Sequence, residues 1–358
     1  MTSDIVIVGG GVIGLSIAWE LSGAGLRVTV LDQKEMGQEA SWAGAGMIPP
    51  GDIEDPATHP LAVLSEQRWA TFSAALRNES GIDNEYHRCG GILLPGQRSI
   101  DDLIERWRSL HVTTERIDSA RLQEIEPSLD SSQTPAVWLP EMAQVRNPRH
   151  LKALITACES RGVQLLSGEE VISWKRSGER LLSAVTRNAE HTAAEFLIAA
   201  GAWTSRLLEP LGQPLTVEPV LGQIALLQAQ TGQIRRIIEE GKQYIVPRRD
   251  GRVLIGATEE RVGFQKRNTE AAIAQLVEFA RSKCPVLKDA PLIKTWSGLR
   301  PWCGHGRPVL GNVPGYSNLF LAAGHFRAGL SNSPGTALVM RQLILGEPPN
   351  IDLSAFAL

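Results

Sequence analysis

Only four cysteines stand in the 358 residues, and none belongs to a C-x-x-C pair. Cys89, Cys158, Cys284 and Cys303 lie far apart, which argues against a disulfide framework and reads as reduced thiols in a reducing compartment. Cys303-Gly304-His305 is the single metal-like pairing, and without further ligands at suitable spacing no metal is expected. A cationic excess is also missing. The formal net charge is -3, and Arg235-Arg236 and Arg248-Arg249 are isolated pairs. Nothing therefore drives binding to nucleic acid or to an anionic membrane. Long unbroken apolar runs are absent too. Residues 5–21 come nearest, but Asp4 sits where a signal peptide would be basic, and the first basic residue is Arg27. Gly9, Gly10, Gly11 and Gly14 interrupt the run and Glu20 ends it, too early for a membrane span. A cytoplasmic protein with no membrane partner is the expectation. No internal repeat and no low-complexity segment occurs.

What is present is an ordinary globular balance, 43% hydrophobic and 21% charged. The length exceeds the usual ceiling for one core, so two domains are expected. Residues 4–32 read as strand, turn, helix and strand. Ile5-Val6-Ile7-Val8 suits a buried parallel strand. Ile13, Ile17 and Leu21 recur at helical spacing, Gly25 is a C-cap candidate, and residues 27–32 form a second strand. Residues 38–55 read as an ordered Gly/Ala/Pro-rich loop. Helices are expected over 61–79, 100–110, 151–160, 270–282 and 334–345. Strands are expected over 170–175, 181–187, 194–199 and 319–323, with a strand-rich stretch over 217–258. Pro127, Pro135, Pro140 and Pro148 suggest excursions between domains.

The turn carries Gly9-x-Gly11-x-x-Gly14 directly between strand and helix. Gly9 permits the tight turn, Gly11 lets a pyrophosphate approach the backbone, and Gly14 lets helix and strand pack closely. The helix N-terminus then offers its N–H groups and partial positive charge to phosphates. Asp32, 18 residues after Gly14, ends the second strand where an acid binds an unphosphorylated ribose. Further βαβ units, as an NAD enzyme would have, do not follow. Instead come Ala40-Ser41-Trp42-Ala43-Gly44-Ala45-Gly46-Met47-Ile48, then the strand end Ala199-Ala200-Gly201-Ala202-Trp203, then Ala323-Gly324-His325-Phe326-Arg327-Ala328-Gly329-Leu330. Three returns to the dinucleotide across the chain are the habit of an FAD protein. The expected cofactor contacts are Gly9, Gly11, Ile13, Gly14, Asp32, Ala40, Ser41, Gly44, Gly46, Met47, Val171, Ala200, Gly201, Trp203, His325, Arg327, Ala328, Gly329 and Leu330.

Gly9-Gly-Gly-Val-Ile-Gly14, Ala43-Gly-Ala-Gly-Met-Ile48, Tyr244-Ile-Val-Pro-Arg248, Gly256-Ala-Thr258, Gly298-Leu-Arg-Pro301 and Gly324-His-Phe-Arg327 together resemble the D-amino-acid oxidase superfamily. Within it they resemble the glycine oxidase branch, the enzyme type that supplies thiamine thiazole synthesis. The resemblance spans essentially the whole chain. It implies an α/β and α+β architecture, with a Rossmann-like FAD domain (1–85, 145–215 and 295–358) and an antiparallel-sheet substrate domain (86–144 and 216–294). It implies oxidation of glycine, sarcosine or a small D-amino acid by molecular oxygen, and a homo-oligomer is expected. By the resemblance, Arg300 binds the substrate carboxylate, Tyr244 assists, Arg327 sits beside the flavin, and the helix near Pro334 points its N-terminus at the flavin pyrimidine. On the residues alone, Arg300 equally suits a structural salt bridge, Tyr244 an ordinary strand aromatic, and His325 a packed histidine.

Three departures from the family pattern stand out. Glu259 replaces a pocket methionine, and its carboxylate either favours the substrate ammonium or turns to solvent. Ala328 replaces an asparagine. Pro301 occupies the place of a flavin-linking cysteine, so FAD is expected to be non-covalent, with Cys303 two residues on as the other candidate for a link. The alternatives left open are a dehydrogenase passing electrons to another carrier and a sarcosine or N-methyl amino acid oxidase.

Overall fold

Alternate side chains of the first strand, Ser3–Val8, enter two different cores, and this explains why the strand is apolar on both faces. Ile5 and Ile7 join one cluster with Val28, Val30, Leu197 and Phe320. Val6 and Val8 join another with Leu31, Phe196, Ile198 and Leu321. The computed structural model describes residues 3–358. Its first sheet places Ser3–Val8 between Val28–Asp32 and Glu190–Ile198, all parallel, with Gln164–Ser167 beyond the former. Leu319–Ala323 pairs in parallel with Glu190–Ile198, and the hairpin Val171–Ser177 and Arg180–Thr186 closes one edge. Helices Val12–Gly23, His59–Ser80, Asn147–Ser160 and Ser333–Leu345 cover the Ile5/Ile7 face.

The second sheet has the strand order Leu292–Cys303, Val217–Gln228, Arg252–Gly256, Gln243–Pro247, Ile237–Glu240, Gly91–Leu94, Ala136–Leu139 and Glu115–Ile117. Neighbours are antiparallel except Ile237–Glu240 with Gly91–Leu94. Leu292–Cys303 follows Val217–Gln228 from Val217↔Cys303 to Leu227↔Leu292, so the expected crossing at residue 295 falls inside this strand. Helix Glu270–Lys283 packs on this sheet's own core. A small third sheet joins Met47–Ile48, Ala143–Gln144 and His87–Arg88.

Two elements differ from the sequence reading. The stretch 38–55 contains a one-turn helix, Glu39–Ala43, too short to show periodicity. The helix expected from 151 begins at Asn147, with Pro148 in its first turn. Proline there loses no hydrogen bond, so Pro148 starts the helix rather than marking an excursion.

Two histidines are buried without charge. His150 lies among Trp69 and Phe72 and accepts at Nδ1 from Asn84, 3.1 Å away. Burial lowers its pKa to about 3 and that of His325 to about 4. The unfolded chain protonates histidine near 6.5 and so binds more protons than the folded chain between these values; stability therefore falls as pH falls below about 6.5. Urea midpoints should drop between pH 7 and pH 5, by on the order of 1 kcal/mol per pH unit for each histidine. The slope difference between wild type and His150→Phe isolates the share of His150. Equal slopes would contradict its neutral burial.

Candidate active site

The parallel strands end level with one another. Val8 is in register with both Leu31 and Ile198, and Ile198 with Leu321. Strand order reverses around Ser3–Val8, and the crevice outside such carboxyl ends is where open α/β sheets bind ligands. Gly9, at φ +118°, leads into it; a Cβ there would stand 2.3 Å from the Ala199 carbonyl oxygen. A Cβ at Gly14 would stand 2.0 Å from the Gly9 carbonyl oxygen, so Gly14 seats the helix on the strand. Gly11 is different, since its nearest neighbour would be the Ser41 hydroxyl at 3.0 Å and its other side is open. Gly11 is also the N-cap of helix Val12–Gly23 and carries no capping side chain. Ser41 accepts from the Val12 N–H at 2.9 Å. Asp32 accepts from the N–H groups of Gly10 and Lys34, each at 2.8 Å. Burial raises its pKa, while those two bonds work the other way.

From this cradle a cavity of about 1170 Å³ runs to the second sheet. Every residue expected to contact the cofactor lines it except Gly14, which lies beneath as packing. Bare backbone faces the space at Gly201, where an added Cβ would meet nothing within 4 Å. The residues 331–332 line it immediately before helix Ser333–Leu345 begins. The open glycine faces, the helix start and the strand-end carboxylate fit a dinucleotide in size and chemistry. Pro301 lines the cavity. His325 bonds Thr336 (Nε2 to Oγ1, 3.1 Å) and is a packed neutral ring.

At the far end stand Arg300 and Tyr244. Arg300, on Leu292–Cys303, passes over Gly222 of the neighbouring strand, where a Cβ would lie 2.4 Å from its Nη2. Tyr244 lies over Gly256 in the same way, with an added Cβ 2.4 Å from its hydroxyl. The two side chains are neighbours; burial raises the Tyr244 pKa and lowers that of Arg300, and each moderates the other. Arg300 donates Nη1 to the Thr258 carbonyl at 3.0 Å and has no carboxylate partner among the described residues. A structural salt bridge does not account for it.

Arg327 is spent elsewhere. It donates to Glu259, whose other oxygen accepts from Lys242 at 3.0 Å. Burial alone would raise Glu259, but the Arg327 and Lys242 bonds outweigh it and hold the carboxyl below its usual range. Glu259 thus lines the cavity, neither free toward a ligand nor turned to solvent. Gly222, Glu239, Lys242 and Glu54 also line the cavity, and sequence reasoning did not name them. A glycine inside a strand pattern is a signal of close approach and could have pointed to Gly222; the other three carry no local signal.

Cradle and clamp together define an FAD-dependent oxidoreductase. The FAD dependent oxidoreductase family matches residues 4–343, and the chain belongs to it. A glycine oxidase from Pseudomonas aeruginosa is 36% identical over 365 residues, covering 100% of this chain and 99% of that one. The bifunctional protein ThiO/ThiG of Trichormus variabilis is 34% identical, covering 99% of this chain and 55% of that protein. The crystal structure of glycine oxidase from Geobacillus kaustophilus superposes with TM-score 0.94 at 32% identity, covering 100% of this chain and 98% of that chain.

Gly222→Ala should displace the Arg300 guanidinium without unfolding the protein, because the atoms met are the far end of a flexible side chain. Affinity for a small carboxylate such as glycolate should fall about tenfold, the scale of one charge-assisted bond. FAD content and the thermal midpoint should stay near wild type. Unchanged glycolate affinity in a calorimetric titration would show that this guanidinium holds no carboxylate.

Proposed function

We propose that the protein oxidises glycine, and other small amino acids such as sarcosine and small D-amino acids, to the 2-oxo acid, ammonia or amine, and hydrogen peroxide. The observation that carries this is Arg300, a guanidinium facing the cavity beside Tyr244 with no acidic partner of its own among the described residues. Such a planar fork holds both oxygens of a substrate carboxylate and fixes its orientation. Tyr244 donates its hydroxyl to the same group. FAD, when bound, would supply the hydride acceptor and the route of the electrons to oxygen. Arg327, held by Glu259, keeps a positive charge on the cavity wall. The start of helix Ser333–Leu345 adds its partial positive charge there. The names of the full-length relatives support glycine as substrate, and those of the ThiO/ThiG proteins support a product destined for thiamine thiazole synthesis.

The same reading divides the chain into an FAD domain (1–85, 145–215 and 295–358) and a substrate domain (86–144 and 216–294), with strand Leu292–Cys303 shared between them. Gly9, Gly11 and Asp32 hold the pyrophosphate and ribose. Residues 40–47, 200–203 and 325–330 surround the remainder of the cofactor. FAD is held without a covalent bond, because Pro301 offers no nucleophile at the wall it lines and Cys303 is not a lining residue. Acid precipitation should release all of the yellow colour into the supernatant. Flavin that stays with the precipitated chain would contradict this.

Peroxide release under air, measured across glycine, sarcosine, D-alanine and D-proline, tests the activity directly. Arg300→Ala should lower kcat/KM on the best of these by on the order of 10²-fold, chiefly through KM, with FAD content unchanged. Arg300→Lys should recover only part, because an ammonium lacks the planar fork. Normal turnover in Arg300→Ala, or loss of activity only through loss of FAD, would exclude the carboxylate role.

A further inference from the structure

Strand Ile237–Glu240 carries two glutamates with opposite fates. Glu240 lines the cavity but is paired with Lys283 at 2.9 Å. Glu239 stands directly opposite Tyr244 on one side and Leu93 on the other. Directly opposed residues share a face of the sheet, so Glu239 and Tyr244 present side chains to the same space, about 5 Å apart at Cβ. Both line the cavity. The groups that face Glu239 are Arg327, Glu54 and Arg98, with Tyr244 alongside. Each of these cations already has a carboxylate. Arg327 is bonded to Glu259, and Arg98 to both oxygens of Glu54 at 2.8 and 3.3 Å. Glu239 itself has no hydrogen bond and no ion pair among the described residues. Burial pushes its pKa up to about 7 against the pull of Arg327. A half-buried carboxylate without a partner is disfavoured, and a bound cation would stabilise it.

We infer that Glu239 receives the ammonium group of the substrate and takes up its proton, a role that rests on the amino-acid oxidase reading and adds the base which that reading lacks. With the carboxylate of a small zwitterion on Arg300 and Tyr244, its ammonium is within one strand spacing of Glu239. One N–H bond of the ammonium breaks, its electron pair stays on nitrogen, and an O–H bond forms on Glu239. No electron is transferred in this step. The nitrogen lone pair so released is what the α-carbon needs when its C–H bond is oxidised. A carboxyl that titrates near the working pH is suited to hold this proton and give it back.

The test compares wild-type and Glu239→Gln holoenzyme. In wild type, kcat/KM for glycine should fall about tenfold per pH unit below pH 7, as Glu239 protonates. In Glu239→Gln the break near pH 7 should vanish, and the rise of about tenfold per unit should continue above it. Its kcat/KM at pH 8 should be at least about tenfold lower, and should rise toward the pKa of the free amine. Glycolate, which has the carboxylate and no amine, should bind both proteins within about twofold, and Glu239→Asp should recover part of the glycine rate. A break retained near pH 7 in Glu239→Gln, or equal losses for glycine and glycolate, would overturn the role. If wild type oxidises none of the four amino acids, the oxidase reading fails, and calorimetry then judges Glu239 separately. Glu239→Gln must weaken glycine at least about tenfold relative to glycolate, and any smaller difference defeats the proposal.

Discussion

Helix Val12–Gly23 sits on strand Ser3–Val8 at a separation that only glycine permits. With any side chain at residue 14, a Cβ would meet the Gly9 carbonyl oxygen at 2.0 Å, and one at residue 9 would meet Ala199 at 2.3 Å. The second contact ties the first βαβ unit to a strand almost 190 residues later in the chain, since Ala199 follows Glu190–Ile198 directly. Because these strands end level, the helix start, Asp32 and the bare backbone at Gly201 converge on one crevice. Loss of this close approach would separate the helix N-terminus from the strand ends, and the crevice they form would be lost.

The second sheet uses glycine for a different purpose. Gly222 and Gly256 make room for side chains rather than for backbone: the Arg300 guanidinium lies over one and the Tyr244 ring over the other. Gly222 is paired with Gly298, whose own missing side chain admits Ala43 at 2.6 Å from the Cβ position. One pair of glycines therefore seats the clamp and brings the 39–43 turn against the sheet. Trp296 fastens this junction by donating Nε1 to the Ala43 carbonyl at 3.0 Å. Arg248 does the same deeper in, donating to the Ala45 and Val145 carbonyls at 2.6 and 2.9 Å and to Gln144 at 2.7 Å. Burial lowers its pKa to about 10, which leaves it charged at neutral pH.

Charge in the cavity is partitioned by these contacts. Lys242, Glu259 and Arg327 form an ion-pair chain that keeps one net positive charge, and Arg98 pairs with Glu54. Among the described residues of the second sheet that line the cavity, one guanidinium, Arg300, and one carboxyl, Glu239, have no ion-pair partner. This is the complement of a zwitterion. On the proposed role of Glu239, a molecule lacking either charge would leave one of these groups unpaired and be selected against.

The sequence alone determined whatever local periodicity and glycine spacing can encode. The βαβ unit was legible because Ile5–Val8 alternate between two cores and Gly9, Gly11 and Gly14 serve a turn, an open face and a packing contact within six residues. The strand Leu319–Ala323 and the helix that follows were legible as apolar runs of the right length. Arg300 and Tyr244 were legible as residues of a resembling motif, but their setting was not. Whether Arg300 had an acidic partner depended on where Glu259 went, and Glu259 is bound by Lys242, 17 residues before it, and Arg327, 68 residues after it. Glu239 gave no signal at all. Its neighbour Glu240 has the same chemistry and also lines the cavity, but the register of Ile237–Glu240 against Gln243–Pro247 sets Glu239 opposite Tyr244, while Glu240 is paired with Lys283. Register is a property of paired strands, and a shift of one residue would exchange the two glutamates. The tertiary structure decided which charges cancel and which remain, because that depends on distances between residues that no stretch of sequence brings together.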